Sequence, residues 1–153
     1  NEREVGGEPV ADLRVRSALL TGIEIPEDLV PLAIDEFPVL FIAAACASGK
    51  TVLSGAEELR VKESDRIASM AEGLTRLGIE NDVREDGIAI TGGQITGGEV
   101  DTFHDHRIAM SFSVAALRAS GPIHVNDCDH VATSFPGFAA LARCVGLNIT
   151  EVN

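Results

Sequence analysis

The charged segment of this chain is Glu57-Glu58-Leu59-Arg60-Val61-Lys62-Glu63-Ser64-Asp65-Arg66, in which seven of the ten residues are charged. It lies between a short strand pattern at 51–53 and an amphipathic helix pattern with apolar residues at Ile67, Met70, Ala71, Leu74 and Leu77. Ser64 is the predicted N-cap of this helix, which places Arg66 in the first turn. Because the start of a helix already carries partial positive charge, cations gathered there predict that a ligand supplies an anion.

The overall composition restricts the class of protein. The chain has 153 residues and a formal net charge of -12, which argues against a nucleic-acid surface. No apolar run is long enough to span a membrane. The three cysteines lack metal-binding spacing and predict buried thiols in a reducing cytosol, and the start at Asn1 suggests that sequence lies upstream. In so acidic a chain, local groups of Lys, Arg and His mark candidate sites for small anions.

Upstream of the charged segment, the pattern predicts a strand and one buried helix. Residues 1–10 read as an irregular lead-in, and alternating apolar and basic residues predict a strand at 12–19. The Ala-rich run at 34–47 predicts a buried helix. Pro38 fits only in the first turn of that helix, so Asp35 lies at its N-terminal end.

Downstream, the helix of the charged segment is expected to end at Gly78. Asp86-Gly87 predicts a hairpin between strands at 81–84 and 88–91. The remaining predictions are a helix at 104–120, a strand at 123–125, a helix at 135–145 with Ser134 as its N-cap, and a last strand at 147–152.

An internal repeat relates the two halves of the chain. Ala47-Ser48-Gly49 recurs as Ala119-Ser120-Gly121, in each case after an Ala-rich helix and before a strand. At the same offset Asp35 matches Arg107. Two helix–strand–helix–strand units predict an α/β (α+β) domain built from repeats. If the units pack around a pseudo-axis, their helix starts bring together a site for a doubly anionic substrate, formed by Asp35, Lys62, Glu63, Arg66, His106 and Arg107.

Each of these candidate residues has a catalytic and a structural interpretation. Arg66 and Arg107 suit bidentate contacts with carboxylate or phosphate, or else form surface salt bridges with neighbouring acids. Glu63 and Asp35 are candidate general acid–base groups, although Asp35 could simply cap a helix. Lys62 holds phosphate or is a solvated side chain.

A metal or nucleotide site is not indicated. His104 and His106 point to different sides of a helix, so they would not face one ion. The sequence contains neither a Walker-type phosphate loop nor a dinucleotide-binding fingerprint.

Four motifs carry a longer pattern, namely Ile34–Pro38, Leu59–Arg66, Asp105–Phe112 and Thr133–Pro136. Together they resemble the 5-enolpyruvylshikimate-3-phosphate synthase (3-phosphoshikimate 1-carboxyvinyltransferase) family. Within that family they are most similar to the bacterial, glyphosate-tolerant branch. The resemblance runs over nearly the whole chain and covers only the C-terminal third or so of a full enzyme.

The resemblance implies a fold of two similar domains, each an inverse α/β barrel of three βαβαββ units. Residues 1–153 would then be one partial domain with about two such units. The implied reaction transfers the enolpyruvyl group of phosphoenolpyruvate to the 5-hydroxyl of shikimate 3-phosphate and releases phosphate, without a metal or organic cofactor. The implied partner is the missing N-terminal part of the same cytoplasmic enzyme.

The resemblance also implies a role for each candidate. Asp35 would hold the shikimate hydroxyl and accept its proton, Lys62 would contact shikimate 3-phosphate, and Glu63 would carry a proton at the enolpyruvyl methylene. Arg66 and Arg107 would clamp phosphoenolpyruvate, with His106 beside them.

One position departs from the family pattern. Many members carry a Lys where this chain has Thr133, so that cation is either dispensable here or supplied elsewhere. Two alternatives remain open at this point: enolpyruvyl transfer to UDP-N-acetylglucosamine, and a non-catalytic α/β module that binds anions.

Overall fold

The strand before the charged segment belongs to a three-stranded sheet, the first sheet, whose central strand is β5 (Ile88–Thr91). In the computed structural model, which describes residues 1–152, this strand is β3 (Lys50–Leu53). β3 pairs antiparallel with β5, and β5 pairs antiparallel with β4 (Asn81–Val83). An extended segment near residues 21–24 forms two parallel bridges, Glu24 to Val52 of β3 and Thr21 to Ser48 just before β3.

Two helices complete this first unit. α1 (Phe37–Ala45) follows a 3-10 helix at Pro31–Glu36, and α2 (Arg66–Arg76) follows a 3-10 helix at Glu57–Val61. Pro38 lies in the first turn of α1, as predicted. The order of elements is therefore extended segment, α1, β3, α2, β4, β5, which matches a βαβαββ unit.

The second unit repeats the first part of this order. β6 (Gly98–Val100) and β7 (Ile123–Val125) pair parallel, and α3 (His106–Ala115) connects them. α4 (Val131–Ser134) and α5 (Phe138–Cys144) follow. The predicted mixture of helices and strands is confirmed, and the sheets of residues 1–152 are open rather than closed into a barrel.

The two ends of the chain differ from the predictions. The lead-in is not irregular, because β1 (Glu2–Val5) and β2 (Glu8–Ala11) form an antiparallel hairpin. The predicted strands at 12–19 and 147–152 are wrong. Both segments have apolar residues at suitable positions, but neither has a neighbouring strand within residues 1–152 to complete a ladder, and an unpaired strand is not stable.

Helix starts were also predicted too early. The 34–47 helix begins only at Phe37, and the 104–120 helix begins at His106, because Phe103 and His104 have positive φ values of 53° and 62°. Ser134 does not cap the last helix, since Gly137 precedes its first residue in a left-handed conformation. The strand β6 was missed among its glycines. The hairpin of β4 and β5, by contrast, is confirmed.

The core lies between the first sheet and the long helices. The predicted apolar stripe of α2 is buried, and α1 packs against α3. The prediction of buried thiols is wrong, because Cys46 is half-buried while Cys128 and Cys144 are exposed. None of the helices among residues 1–152 has the length and apolar character that a bilayer crossing requires.

One close contact fixes how α2 lies against α3. Gly73 of α2 faces the buried ring of Phe112, and a Cβ atom at Gly73 would lie 2.2 Å from the ring Cζ. Helix propensity alone favours Ala over Gly by about 1 kcal/mol. Overpacking usually costs about 1–3 kcal/mol, so the two helices must move apart or distort.

We expect Gly73→Ala to lower the free energy of unfolding of the full-length protein by about 1–2 kcal/mol, measured by urea denaturation. The double variant with Phe112→Leu should lose less than the sum of the two single losses, because the smaller side chain makes room. A Gly73→Ala protein as stable as the wild type would contradict this account of the helix contact.

Candidate functional site

The charged segment folds into a short helix, a loop and a helix cap. Its 3-10 helix is fixed by Leu59, which is completely buried. Asp65 caps α2 by accepting a hydrogen bond from the Ala68 amide at 2.9 Å. The prediction of Ser64 as the cap is therefore wrong. The Ser64 hydroxyl instead donates to Asp105 Oδ2 at 3.1 Å, across to the start of α3.

Arg60 holds this loop against the hairpin of β4 and β5. Its Nε donates to the Glu85 carbonyl at 2.6 Å, and its guanidinium also donates to the Arg84 carbonyl. Its Nη1 donates to Asp65 Oδ2 at 2.8 Å. The loop that carries Lys62 is thus tied at one side to the first sheet.

Arg66 lies at the centre of the site and is only 1% exposed. Its Nε donates to Asp105 Oδ2 at 2.8 Å, Nη1 to Asp35 Oδ1 at 3.0 Å, and Nη2 to Glu63 Oε2 at 2.5 Å. The predicted salt bridges with neighbouring acids are present, to Glu63 and Asp105, but they are not on the surface because this arginine is buried. The expectation that only a ligand supplies the counter-charge is wrong, because three carboxylates of the chain surround the guanidinium.

These carboxylates keep Arg66 charged. Burial by itself would lower the pKa of Arg66, but the hydrogen bond and charge of Asp105, the charge of Glu63 and the hydrogen bond to Asp35 raise it. A buried charge is tolerated only when it is paired and hydrogen-bonded in this way.

Asp35 is shared between cations. Lys62 Nζ lies 3.5 Å from Asp35 Oδ1 and 2.5 Å from Glu58 Oε1. Partial burial would raise the pKa of Asp35, but the Arg66 hydrogen bond and the charges of Lys62 and Arg107 outweigh it and lower the pKa. Asp35 is therefore an ionised hydrogen-bond acceptor at neutral pH. The pKa of Lys62 is raised, first by its hydrogen bond to Glu58.

Arg107 joins the second unit to the first. Its Nη1 donates to the Asp35 carbonyl at 2.8 Å and to Glu36 Oε1 at 3.1 Å. The two positions that the internal repeat matches are thus in direct contact. His106 begins α3 and is half-buried, and no hydrogen bond links its side chain to the rest of residues 1–152. Thr133 lies in α4, where its Oγ1 donates to the His130 carbonyl at 2.7 Å.

Asp105 is a site residue that the sequence predicted only as one of the acids able to pair with the arginines. It is fully buried, and its Oδ1 accepts from the amides of Arg107 at 2.9 Å and Ile108 at 3.4 Å, so it caps α3. An Asp just before a helix is a typical N-cap, but the start of α3 was predicted two residues too early, at His104 instead of His106. The burial of Asp105 against Arg66 had no local signal, because the two residues are far apart in sequence.

The cluster is not rich in positive charge. Its three cations, Lys62, Arg66 and Arg107, are matched against five carboxylates, namely Asp35, Glu36, Glu58, Glu63 and Asp105. The side chains of Asp35 and Glu63 are 47% and 49% exposed. Arg66 uses three of its five N–H donors on carboxylates, which leaves two for another acceptor. The open face therefore offers carboxylates for proton transfer, backed by cations.

No group of residues suited to holding a metal ion was found in residues 1–152. The fold and this site define the class of the protein: an α+β protein of repeated strand–helix units, with carboxylates and cations gathered where its helices begin. A family profile described as EPSP synthase (3-phosphoshikimate 1-carboxyvinyltransferase) matches residues 2–141. The chain belongs to that family.

Individual relatives agree with this assignment. The chain is 69% identical to the 3-phosphoshikimate 1-carboxyvinyltransferase of Methylococcus capsulatus, over 96% of this chain and 34% of that protein. It is 66% identical to the protein of the same name from Alkalilimnicola ehrlichii, over 99% and 34%. The solved EPSP synthase from Acinetobacter baumannii superposes with a TM-score of 0.96 at 57% identity, over 100% of this chain and 36% of that one.

The chain therefore spans about a third of the length of the curated relatives that it matches. This agrees with the expectation that it corresponds to a portion of a longer enzyme.

Proposed function

We propose that the full-length protein transfers the enolpyruvyl group of phosphoenolpyruvate to the 5-hydroxyl of shikimate 3-phosphate and releases phosphate. The relatives carry the name of this activity. The observation that supports it most directly is that one buried guanidinium, Arg66, holds two half-exposed carboxylates, Asp35 and Glu63, side by side. Such a pair is what a reaction with two proton transfers requires.

The reaction is an addition followed by an elimination. In the addition, the hydroxyl oxygen bonds to C2 of phosphoenolpyruvate, the hydroxyl loses its proton, and C3 gains one. In the elimination, C3 loses a proton and the bond from C2 to the phosphate oxygen breaks, which releases phosphate. These steps transfer protons and a phosphate leaving group without a change of oxidation state, so the proposal includes no cofactor.

The two carboxylates differ in what they can contribute. The lowered pKa of Asp35 keeps it ionised, which suits it to accept a hydrogen bond from the 5-hydroxyl. Asp35 is also proposed to receive the proton of that hydroxyl, a role that its lowered pKa does not by itself favour. Glu63 is proposed to deliver the proton to C3 and remove it again. Arg66, Arg107 and His106 are proposed to bind phosphoenolpyruvate, and Lys62 to bind shikimate 3-phosphate. Because Arg66 is buried behind Glu63 and Asp35, a substrate anion reaches its guanidinium, including the two remaining N–H donors, only when one of these carboxylates moves aside.

We further propose that residues 1–153 form part of one domain of a two-domain enzyme and carry one wall of its site. The charge of the cluster supports this, because three cations already matched by five carboxylates cannot neutralise two anionic substrates alone. The other part of the protein would supply further cations, including a substitute for the Lys absent at Thr133. The proposed location is the cytoplasm.

The chain by itself is expected to show negligible turnover. We would measure phosphate release from phosphoenolpyruvate and shikimate 3-phosphate with residues 1–153 alone, with the full-length protein, and with residues 1–153 mixed with the remaining part. Activity is expected in the full-length protein, with at least partial recovery in the mixture. Robust turnover by residues 1–153 alone would contradict the divided site, and an inactive full-length protein would contradict the function.

A further inference from the structure

We infer that Asp105 is a positioning residue, which fixes Arg66 and the start of α3 in the one arrangement that can bind phosphoenolpyruvate. The effect on phosphoenolpyruvate binding rests on the proposed function. The positioning of Arg66 and of the start of α3 by Asp105 does not. Asp105 touches no exposed face of the site and is therefore not proposed as a catalytic residue.

Burial separates Asp105 from the other two carboxylates on Arg66. Asp35 and Glu63 are about half exposed, so an incoming carboxylate or phosphate can take their places on Nη1 and Nη2. Asp105 is 0% exposed and binds Nε, on the inner side of the guanidinium. It is the one partner of the three that a ligand cannot reach, so it keeps Arg66 in place while the others exchange.

The two oxygens of Asp105 bind different parts of the fold. Oδ1 accepts from the amides of Arg107 and Ile108 and so fixes the start of α3. Oδ2 accepts from Arg66 Nε and from the Ser64 hydroxyl, and so fixes the start of α2 and the loop before it. One carboxylate group therefore sets the distance between the two arginines that are proposed to clamp phosphoenolpyruvate.

The backbone before Asp105 supports a constrained role. Phe103 and His104 both adopt positive φ, a conformation that costs energy for residues other than Gly. These two residues directly precede Asp105, and their conformation places it in its buried position, where it accepts four hydrogen bonds. Residues held in sparsely populated conformations persist where the surrounding structure over-determines them.

The test is Asp105→Asn in the full-length protein. Asn keeps the shape and is also a good N-cap, so α3 is expected to keep its start. The charge-assisted bond to Arg66 is lost, and such bonds account for about a tenfold to hundredfold change in an equilibrium. We expect KM for phosphoenolpyruvate to rise by that factor, while kcat and KM for shikimate 3-phosphate change by no more than about threefold.

Asp65→Asn is the matched control. Asp65 also caps a helix and also pairs with an arginine, but its partner Arg60 faces the hairpin. KM for phosphoenolpyruvate is expected to stay within about threefold of wild type. Equal effects of the two substitutions, or an unchanged KM in Asp105→Asn, would overturn the inference and leave Asp105 as a helix cap only.

A second readout does not depend on the reaction. With ¹⁵N-labelled arginine, the Arg66 Nε–H signal, assigned by its loss in Arg66→Lys, should exchange slowly with solvent in the wild type. Asp105→Asn should make this exchange at least about tenfold faster, and Asp65→Asn should not. Slow exchange that persists in Asp105→Asn would refute the positioning of Arg66 by Asp105. This result does not depend on the reaction, because the assay of the wild-type protein tests the proposed activity separately.

Discussion

Replacing Glu63 by Gln in the full-length protein is expected to lower kcat by about a hundredfold or more. A general acid–base group contributes about 10²–10⁴ in rate. Gln keeps the size of the side chain and can still accept a hydrogen bond from Arg66, but it cannot carry a proton. The effect should therefore fall on kcat, measured as the rate of phosphate release at saturating concentrations of both substrates.

Glu72→Gln is the control for this experiment. Glu72 is also a glutamate that pairs with an arginine, Arg76, at 2.6 Å, but the pair lies on the exposed face of α2. Its loss should leave kcat unchanged within about twofold, because surface ion pairs contribute little. If Glu63→Gln retained kcat within a few-fold, the proton-transfer role would be wrong and the non-catalytic anion-binding interpretation would gain support.

Replacing Arg66 by Ala is expected to have the largest effect on stability. The substitution leaves Asp105 buried without its counter-charge, and breaking a buried ion pair from one side costs about 3–5 kcal/mol. Asp35 and Glu63 lose a partner as well but are half exposed and can be hydrated. We expect the free energy of unfolding of the full-length protein, measured by urea denaturation, to fall by that amount, together with loss of turnover.

Arg76→Ala provides a matched comparison on the same helix. Arg76 also bridges two acids, Glu72 at 2.6 Å and Asp101 at 3.0 Å, but it is 42% exposed. Its loss should cost less than about 1 kcal/mol, because both acids remain in water. Equal losses of unfolding free energy in the two variants would show that burial of the Arg66 ion pairs does not increase their contribution to stability.

The sequence was informative wherever structure depends on neighbouring residues. The stripe of α2 was predicted because its apolar residues recur at the helical period, and its burial follows from that pattern. The hairpin of β4 and β5 was predicted because Asp86-Gly87 suits a tight turn. The predictions at 12–19 and 147–152 failed for the opposite reason, since a strand needs a partner that the local pattern does not specify.

The candidate site was predicted in its membership but not in its arrangement. The internal repeat predicted that Asp35 and Arg107 lie close together, and they are in contact. The hydrogen bond joins Arg107 to the backbone carbonyl of Asp35 rather than to its carboxylate. The excess of cations expected at the helix starts is absent, because carboxylates from other segments pair with them. The roles proposed for Asp35, Lys62, Glu63, Arg66, His106 and Arg107 remain predictions for the full-length protein.

By itself, therefore, the sequence determined the presence of the four longer helices, though not where they start, together with the hairpin of β4 and β5, the family motifs and most of the charged residues that form the site. All of these depend on spacing within a few positions or on motifs that can be read directly. Only the tertiary structure decided that Arg66 is buried, that Asp105 lies against it, and that Ser64 bonds to Asp105 instead of capping α2. The physical reason is that burial and the pairing of charges from distant segments depend on how α2 packs against α3, which no local pattern encodes.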